Sequence, residues 1–308
     1  MHRIATSTPA SWLAFELSIL NRINFSSVAF PLMGDPAIGH YLKRRRVRVT
    51  SNDILQSDWN RSLYSIQNNT ESLSEQDIDD LLLDVYVPGN KLKASVLLNW
   101  FSETDSWWFD NLRGNIARLE SPLKRAAAVS LAVMVGNYVH SFTEETREFR
   151  QPLSGVFRRL CSTLPKPINN HQDNACHQKV PDDFIAESTV DLMFLRLPHP
   201  EARSHFKDRK LWREEWLRGG SEFWTEFESG LSGRLGTPSE TKSQYLKTVD
   251  QFLRRAGHIK HWAFGHVETG FLLAQEIAET IGKHRKVEAI YTKDFSELSG
   301  KKAVIITA

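Results

Sequence analysis

Cysteine is nearly absent: Cys161 and Cys176 are the only two in 308 residues. Two thiols build no disulfide framework and suit a reducing, cytoplasmic setting. Long apolar runs are missing too, and no stretch approaches the roughly 18 residues that a membrane helix needs. The stretch WLAFELSIL (12–20) is interrupted by Glu16 and has neither a basic leader nor a cleavage site. It reads as an amphipathic helix rather than a signal peptide. A charge surplus is also missing. The 39 Lys and Arg stand against 37 Asp and Glu, a net charge of +2, so any nucleic-acid surface is a local patch. No Gly-x-Ser-x-Gly, phosphate-loop or His-Glu-x2-His pattern occurs. His171, Cys176 and His177 lie in a polar stretch without a second ligand pair, and His258 and His261 fall on opposite faces of a strand, so no metal is expected.

What is there is an ordinary globular balance, 41% hydrophobic, enough for one large α/β domain or two smaller ones. SSVAFPL (26–32) reads as a short buried strand. MGDPAIGHYLKRRR turns from it into a helix, and RVRVTSND (46–53) alternates as a half-buried strand does. Strand, glycine-bearing turn, helix and acid-tipped strand make a compressed βαβ unit. The segments 57–69, 75–86, 91–101, 104–119, 121–141 and 144–163 are mostly helical. Ser121 caps the clearest of them, with Pro122 in its first turn. PKPINNHQDNACHQKVPDD (165–183) reads as a polar linker. Alternation then resumes in VDLMFLRL (190–197), IKHWAFGHV (259–267), KVEAIYTK (286–293) and KKAVIITA (301–308), with helices over 241–257 and 271–283. The order predicts an α/β fold: a mostly parallel, doubly wound sheet, with a possible antiparallel edge from the last strands. The expected division is a sheet domain over 1–56 and 171–308, with a helical insertion over 57–170.

Ligands of open α/β sheets bind at the carboxyl ends of the strands. Two stretches fall there. In PLMGDPAIGHYL, Gly34 and Gly39 let a ligand approach the backbone at a helix start, and Asp53 at the next strand end suits two ribose hydroxyls. The plainer reading makes Gly34 a tight turn and Asp53 a helix cap. In DLMFLRLPHP (191–200), Arg196 is either an anion clamp or the structural partner of an acid such as Asp53 or Asp35. His199 either stacks on a base, carries a proton or simply ends the strand. The basic run LKRRRVR (42–48) suits a solvated face or a phosphate backbone. Trp212 and Trp216 share a helical face suited to packing, to base stacking or to a partner.

FPLMGDPAIGHYLKRRRVRVTSNDILQSDW (30–59) resembles the first βαβ unit of the Dam-like class of adenine-specific DNA methyltransferases. That family has an Asp/Glu-Pro-Phe-x-Gly-x-Gly loop, a Tyr-Leu-Lys helix and a strand ending in Asn-Asp. The resemblance extends in order through FSETDSWWFDNLRGNIARL, the helical region and DLMFLRLPHP. It implies a Rossmann-like methyltransferase sheet with a helical target-recognition-like insertion, S-adenosylmethionine as cofactor and DNA as partner. It places Pro31, Gly34, Asp35, Gly39 and Asp53 in the cofactor site. It sets Arg196, Leu197, Pro198 and His199 where the family carries its Asp/Asn-Pro-Pro-Tyr catalytic turn.

The departures are chemical. Phe30 replaces the loop acid. Pro36 replaces a glycine and has no N–H to donate. Asp35 brings negative charge towards the methionine carboxylate, and nothing in residues 1–20 matches the family's aromatic-x-Gly-Ser-Lys element. Arg196 is a pure donor and cannot accept from an adenine amine. Loss of one such contact costs about 3 kcal/mol of transition-state stabilisation. The expectation is a catalytically degenerate, DNA-binding or accessory pseudoenzyme of a modification or defence system, whose loop binds S-adenosylmethionine weakly, differently or not at all. The alternatives are an active methyltransferase with a remodelled pocket, using His199, Asp182 or Asp183, and a protein-interaction module exposing Trp212, Trp216 and Trp224.

Overall fold

The computed structural model describes residues 10–199, 205–268, 271–296 and 301–308. The first part of the chain forms α1 (Ala10–Leu20), β1 (Ser27–Phe30), α2 (Ala37–Arg44), β2 (Arg48–Asn52) and α3 (Gln56–Ser62). A π-helical turn (Leu63–Gln67) leads into α4 (Glu75–Leu81), α5 (Glu103–Arg118), α6 (Pro122–His140) and α7 (Leu153–Cys161). Then come β3 (Ala175–His177), α8 (Pro181–Glu187), β4 (Leu192–Arg196), α9 (His205–Arg218), α10 (Phe223–Gly230) and α11 (Lys242–Arg255). β5 (His261–Glu268), α12 (Ala274–Gly282), β6 (Ala289–Phe295) and β7 (Lys301–Thr307) complete it.

The sheet has seven strands in the order β3-β2-β1-β4-β5-β7-β6. β1 to β5 are parallel, and only β7 runs against its neighbours. This is the Rossmann-like methyltransferase sheet that the resemblance implies. Alternation along the strands divides two faces. Ala29, Met193, Leu195, Trp262 and Phe264 pack under α8, α11 and α12. Val28, Phe30, Leu192, Phe194 and Ala263 pack under α1 and α2. Strands covered on both faces read as unbroken apolar runs, which is why β1 and β4 are legible in the sequence.

One strand expectation needs correction. The linker reading of 165–183 hides β3 and the start of α8. β3 is three half-buried residues, Ala-Cys-His, too short and too polar for an alternation to register. The last strands form the expected antiparallel edge: β7 pairs antiparallel with β5 and β6, and β6 lies outermost.

The helices α4 to α7 enclose a core of their own around Trp108, Phe109, Leu112, Leu131 and Phe157. Ser121 caps α6 through Leu123 and Lys124, with Pro122 in the first turn as expected. Trp212 and Trp216 of α9 complete this helical core. Gly136 in α6 makes room for the indole: a Cβ there would stand 2.0 Å from the Trp212 ring.

Candidate functional site

The strand order runs outward in both directions from β1 and β4, so the switch point lies between their carboxyl ends. Three segments meet there: the loop after β1, the Asn52-Asp53 tip of β2 and the turn after β4.

The β1–α2 loop is tied down from within. Gly34 adopts φ +60°, a turn that favours glycine, and its N–H donates to Asp53 Oδ2 at 2.8 Å. Asp53 Oδ1 accepts from Leu55 N at 3.0 Å, so the carboxylate is both a loop tie and a local turn acceptor. It is 4% exposed, with two of its roughly four lone-pair sites in use. Met33 N donates to the Asn52 carbonyl, and Ala37 N to Asp35 Oδ1. Pro36 at the head of α2 offers no N–H. The N–H groups of Met33 and Gly34 are therefore engaged by the tip of β2, and that of Ala37 by the loop itself.

Asn52 is a site residue that sequence reasoning passed over. Its side-chain amide donates to the carbonyls of Pro31 and Lys179, and its oxygen accepts from Lys179 N. It thereby joins the first loop to the turn after β3. A buried asparagine beside an acid at a strand end was the available signal. Gly39, expected beside the cofactor, lies within α2, where an added Cβ would meet Ile66 at 2.8 Å and Met33 at 3.0 Å. Its bare backbone serves helix packing.

Arg196 ends β4 and turns back across the switch point. Its Nε and Nη2 donate to Glu16 Oε1 and Oε2 at 2.7 and 2.8 Å. Its Nη1 lies 3.3 Å from the Met33 carbonyl and 3.5 Å from that of Asp35. Burial works against the guanidinium charge, and the Glu16 carboxylate together with the charge of Asp35 more than offsets it, so its pKa moves up. The structural-partner reading of Arg196 therefore fits the geometry: the hydrogen-bonded acid is Glu16 from α1, and the charge of Asp35 adds to it. Asp35 contributes its carbonyl to Arg196, and its carboxylate lies 3.5 Å from Arg61. Arg61 also contacts Asp58, and Arg213 of α9 donates to Asn137. Burial, then the nearby Arg61 charge, push the Arg213 pKa down to about 10.

The turn after β4 is equally fixed. Leu197 N donates to the Gly265 carbonyl at 2.8 Å, and the Pro198 carbonyl accepts from the Tyr245 hydroxyl at 2.8 Å. Burial raises the Tyr245 pKa. His199 is half-buried, and its neighbour Pro200 lies outside the described residues. Asp182 and Asp183 face Arg255 at 3.9 and 3.6 Å, and Asp183 also faces Arg234 at 3.1 Å.

Beyond the turn, α9 clamps the site to the helical layer. Glu214 accepts from Gln56 N and Ser57 N at the head of α3, at 2.9 and 2.7 Å. Glu215 accepts from the indoles of Trp100 and Trp224. Trp212, Trp216 and Trp224 are 2%, 0% and 4% exposed, so they are packing residues and offer no outer surface for a partner. A recess of about 320 Å³ opens beside Ile54, lined by Val180, Arg218, Phe223, Phe227 and Leu231. No described helix is long and apolar enough to cross a membrane.

The sheet order and the convergence of the β1, β2 and β4 ends define a methyltransferase-like protein. No protein-family model matches the chain. Over 323 aligned residues, covering 95% of this chain and 90% of the relative, it is 20% identical to the type II methyltransferase M2.HphI of Haemophilus parahaemolyticus. The likeness spans both the sheet and the helical layer and supports a methyltransferase relationship.

Proposed function

We propose that this chain is a degenerate relative of the adenine-specific DNA methyltransferases, one that has lost methyl transfer and serves as a DNA-linked accessory protein of a modification or defence system in the cytoplasm. In this reading residues 1–56 and 171–308 form the methyltransferase-like domain, and 57–170 the helical insertion. One observation carries the reading: the Arg196 guanidinium bridges Glu16 and the Met33 carbonyl at the switch point. A cation held there has no lone pair for an adenine amine and opposes positive charge growing on it.

S-adenosylmethionine does not fit the residues as they stand. Met33 N, Gly34 N and Ala37 N are already engaged by Asn52, Asp53 and Asp35, Pro36 offers no N–H, and each Asp53 oxygen already accepts one backbone N–H.

The test is calorimetry and thermal shift with S-adenosylmethionine at 1 mM, together with a labelled-methyl assay on adenine-containing duplex DNA. A ligand at 100 times its Kd stabilises by about 2.7 kcal/mol, which a melting scan resolves. The expected result is no shift and no incorporated label. Saturable binding together with labelled adenine overturns the reading.

A second reading is favoured by the acid at the end of β2 and by the likeness to a protein named as a methyltransferase. There the chain is an active S-adenosylmethionine-dependent enzyme whose Arg196–Glu16 pair opens on binding. The same assay with a range of acceptors distinguishes the two.

A further inference from the structure

The basic run at the end of α2 plays no part in the switch-point site. α2 runs back along the sheet from the carboxyl end of β1, so its last turn stands at the amino end of β2. Arg48 N hydrogen-bonds the Ser26 carbonyl there, at the start of β1. The five residues of β2, about 16 Å of strand, separate this edge from the switch point.

Of the run 42–48, Leu42, Lys43 and Val47 are buried, and Arg48 donates to the Thr189 carbonyl. Arg44, Arg45 and Arg46 are exposed. Among the described residues no carboxylate lies within 4 Å of any of these three guanidiniums, whereas Arg61, Arg113, Arg150 and Arg158 each face one. Arg45 uses one donor on Asn21, and Arg44 lies 5.8 Å from the ring of Tyr41, itself 44% exposed. Arg46 sits at φ +62° just past the helix end, with its N–H on the Lys43 carbonyl and that of Val47 on Leu42. That position ordinarily takes glycine. An arginine is kept there at a conformational cost, with its charge turned out to solvent.

We propose that Arg44, Arg45 and Arg46 form a contact for the phosphate backbone of duplex DNA on the edge of the sheet opposite the switch point. The proposal rests on the DNA-linked reading and assigns it a surface. Guanidinium forks match phosphate oxygens bidentately and need no apolar surroundings. Interfaces with proteins have an apolar centre, and Tyr41, just before this run, is the one large exposed apolar side chain on α2. A phosphate backbone therefore suits the surface better than an acidic protein.

The test is the salt dependence of binding to fluorescent 20-base-pair duplexes of unrelated sequence. It compares the full chain, the triple variant Arg44→Gln/Arg45→Gln/Arg46→Gln and the corresponding triple lysine variant. Each released phosphate contact changes the log–log slope by about 0.9. The glutamine variant is expected to lose about 2 to 3 from the slope on every duplex, with its melting midpoint preserved, and the lysine variant to keep the slope. A glutamine variant that binds as the full chain does overturns this surface and leaves the DNA-linked reading standing. A full chain that binds no duplex at 50 mM salt removes both. Binding to polyglutamate as tight as to DNA at matched salt assigns the surface to an acidic protein and overturns the proposal.

Discussion

Arg196 and Glu16 lie 180 residues apart in the chain and meet through two parallel hydrogen bonds, 2.7 and 2.8 Å long. The carboxylate is 3% exposed and the guanidinium 20%, so each is the other's main compensation for leaving water. Glu16→Ala strands a cation and is expected to cost about 3 kcal/mol. Glu16→Leu combined with Arg196→Met is expected to recover most of that loss. Urea denaturation of the single and double variants checks this, and purely additive losses would show that the two groups are not coupled.

Acid should destabilise the helical layer through His140. Burial, helped by the charges of Arg213 and Arg150 and opposed by that of Asp105, lowers its pKa to about 4. The ring packs against Phe101 and Trp212, at 4.8 and 5.6 Å. An unfolded histidine takes its proton near pH 6.5, and the folded one does not until about pH 4. Stability therefore falls as the pH drops through that window and levels off below it, by about 2 kcal/mol after discounting for partial exposure. Melting curves from pH 7 to 4 should show this step, and His140→Leu should flatten it.

Gly136 and Trp212 make a tight steric pair. A methyl group at 136 would overlap the indole, with the nearest ring carbon 2.0 Å away. Gly136→Ala is expected to cost about 1 to 3 kcal/mol, the range for overpacked cores. Trp212→Leu should restore part of it in the double variant. Equal stability of Gly136→Ala and the parent would show that the indole has room to move.

Arg46→Gly should stabilise the fold while removing charge. At φ +62° a glycine avoids the Cβ conflict of the left-handed region, a gain of about 1 kcal/mol. Guanidinium denaturation reads the gain directly. A loss of stability would show that the arginine side chain contributes packing that compensates for its backbone.

Much of the fold was legible because strands buried on both faces announce themselves. VAFPL and LMFL, inside SSVAFPL and VDLMFLRL, are apolar without interruption, and each became part of a central strand. β3 was not legible, since Ala-Cys-His owes its pairing to Thr50, Ser51 and Asn52 rather than to its own side chains. Nor was the place of β7, because spatial order is set by the helices that cross the sheet and not by local pattern. At the site, the convergence of Gly34, Asp53 and Arg196 was readable from chain order. The partner of Arg196 was not, although an acid alone within WLAFELSIL was a usable sign. A charge in an otherwise apolar helix must find a counterion when that helix is buried.

The interior position of β7 has a consequence for how the protein is made. Among the described residues β6 pairs with β7 alone, and Ala308 exchanges backbone hydrogen bonds with Trp262 in β5. Until residues 301–308 leave the ribosome, β6 has nothing to pair with and the flank of β5 stands bare. The earlier strands can assemble during synthesis while this third of the sheet waits, and a nascent chain stalled before residue 301 would expose two unpaired strand edges to chaperones and to its neighbours on the polysome.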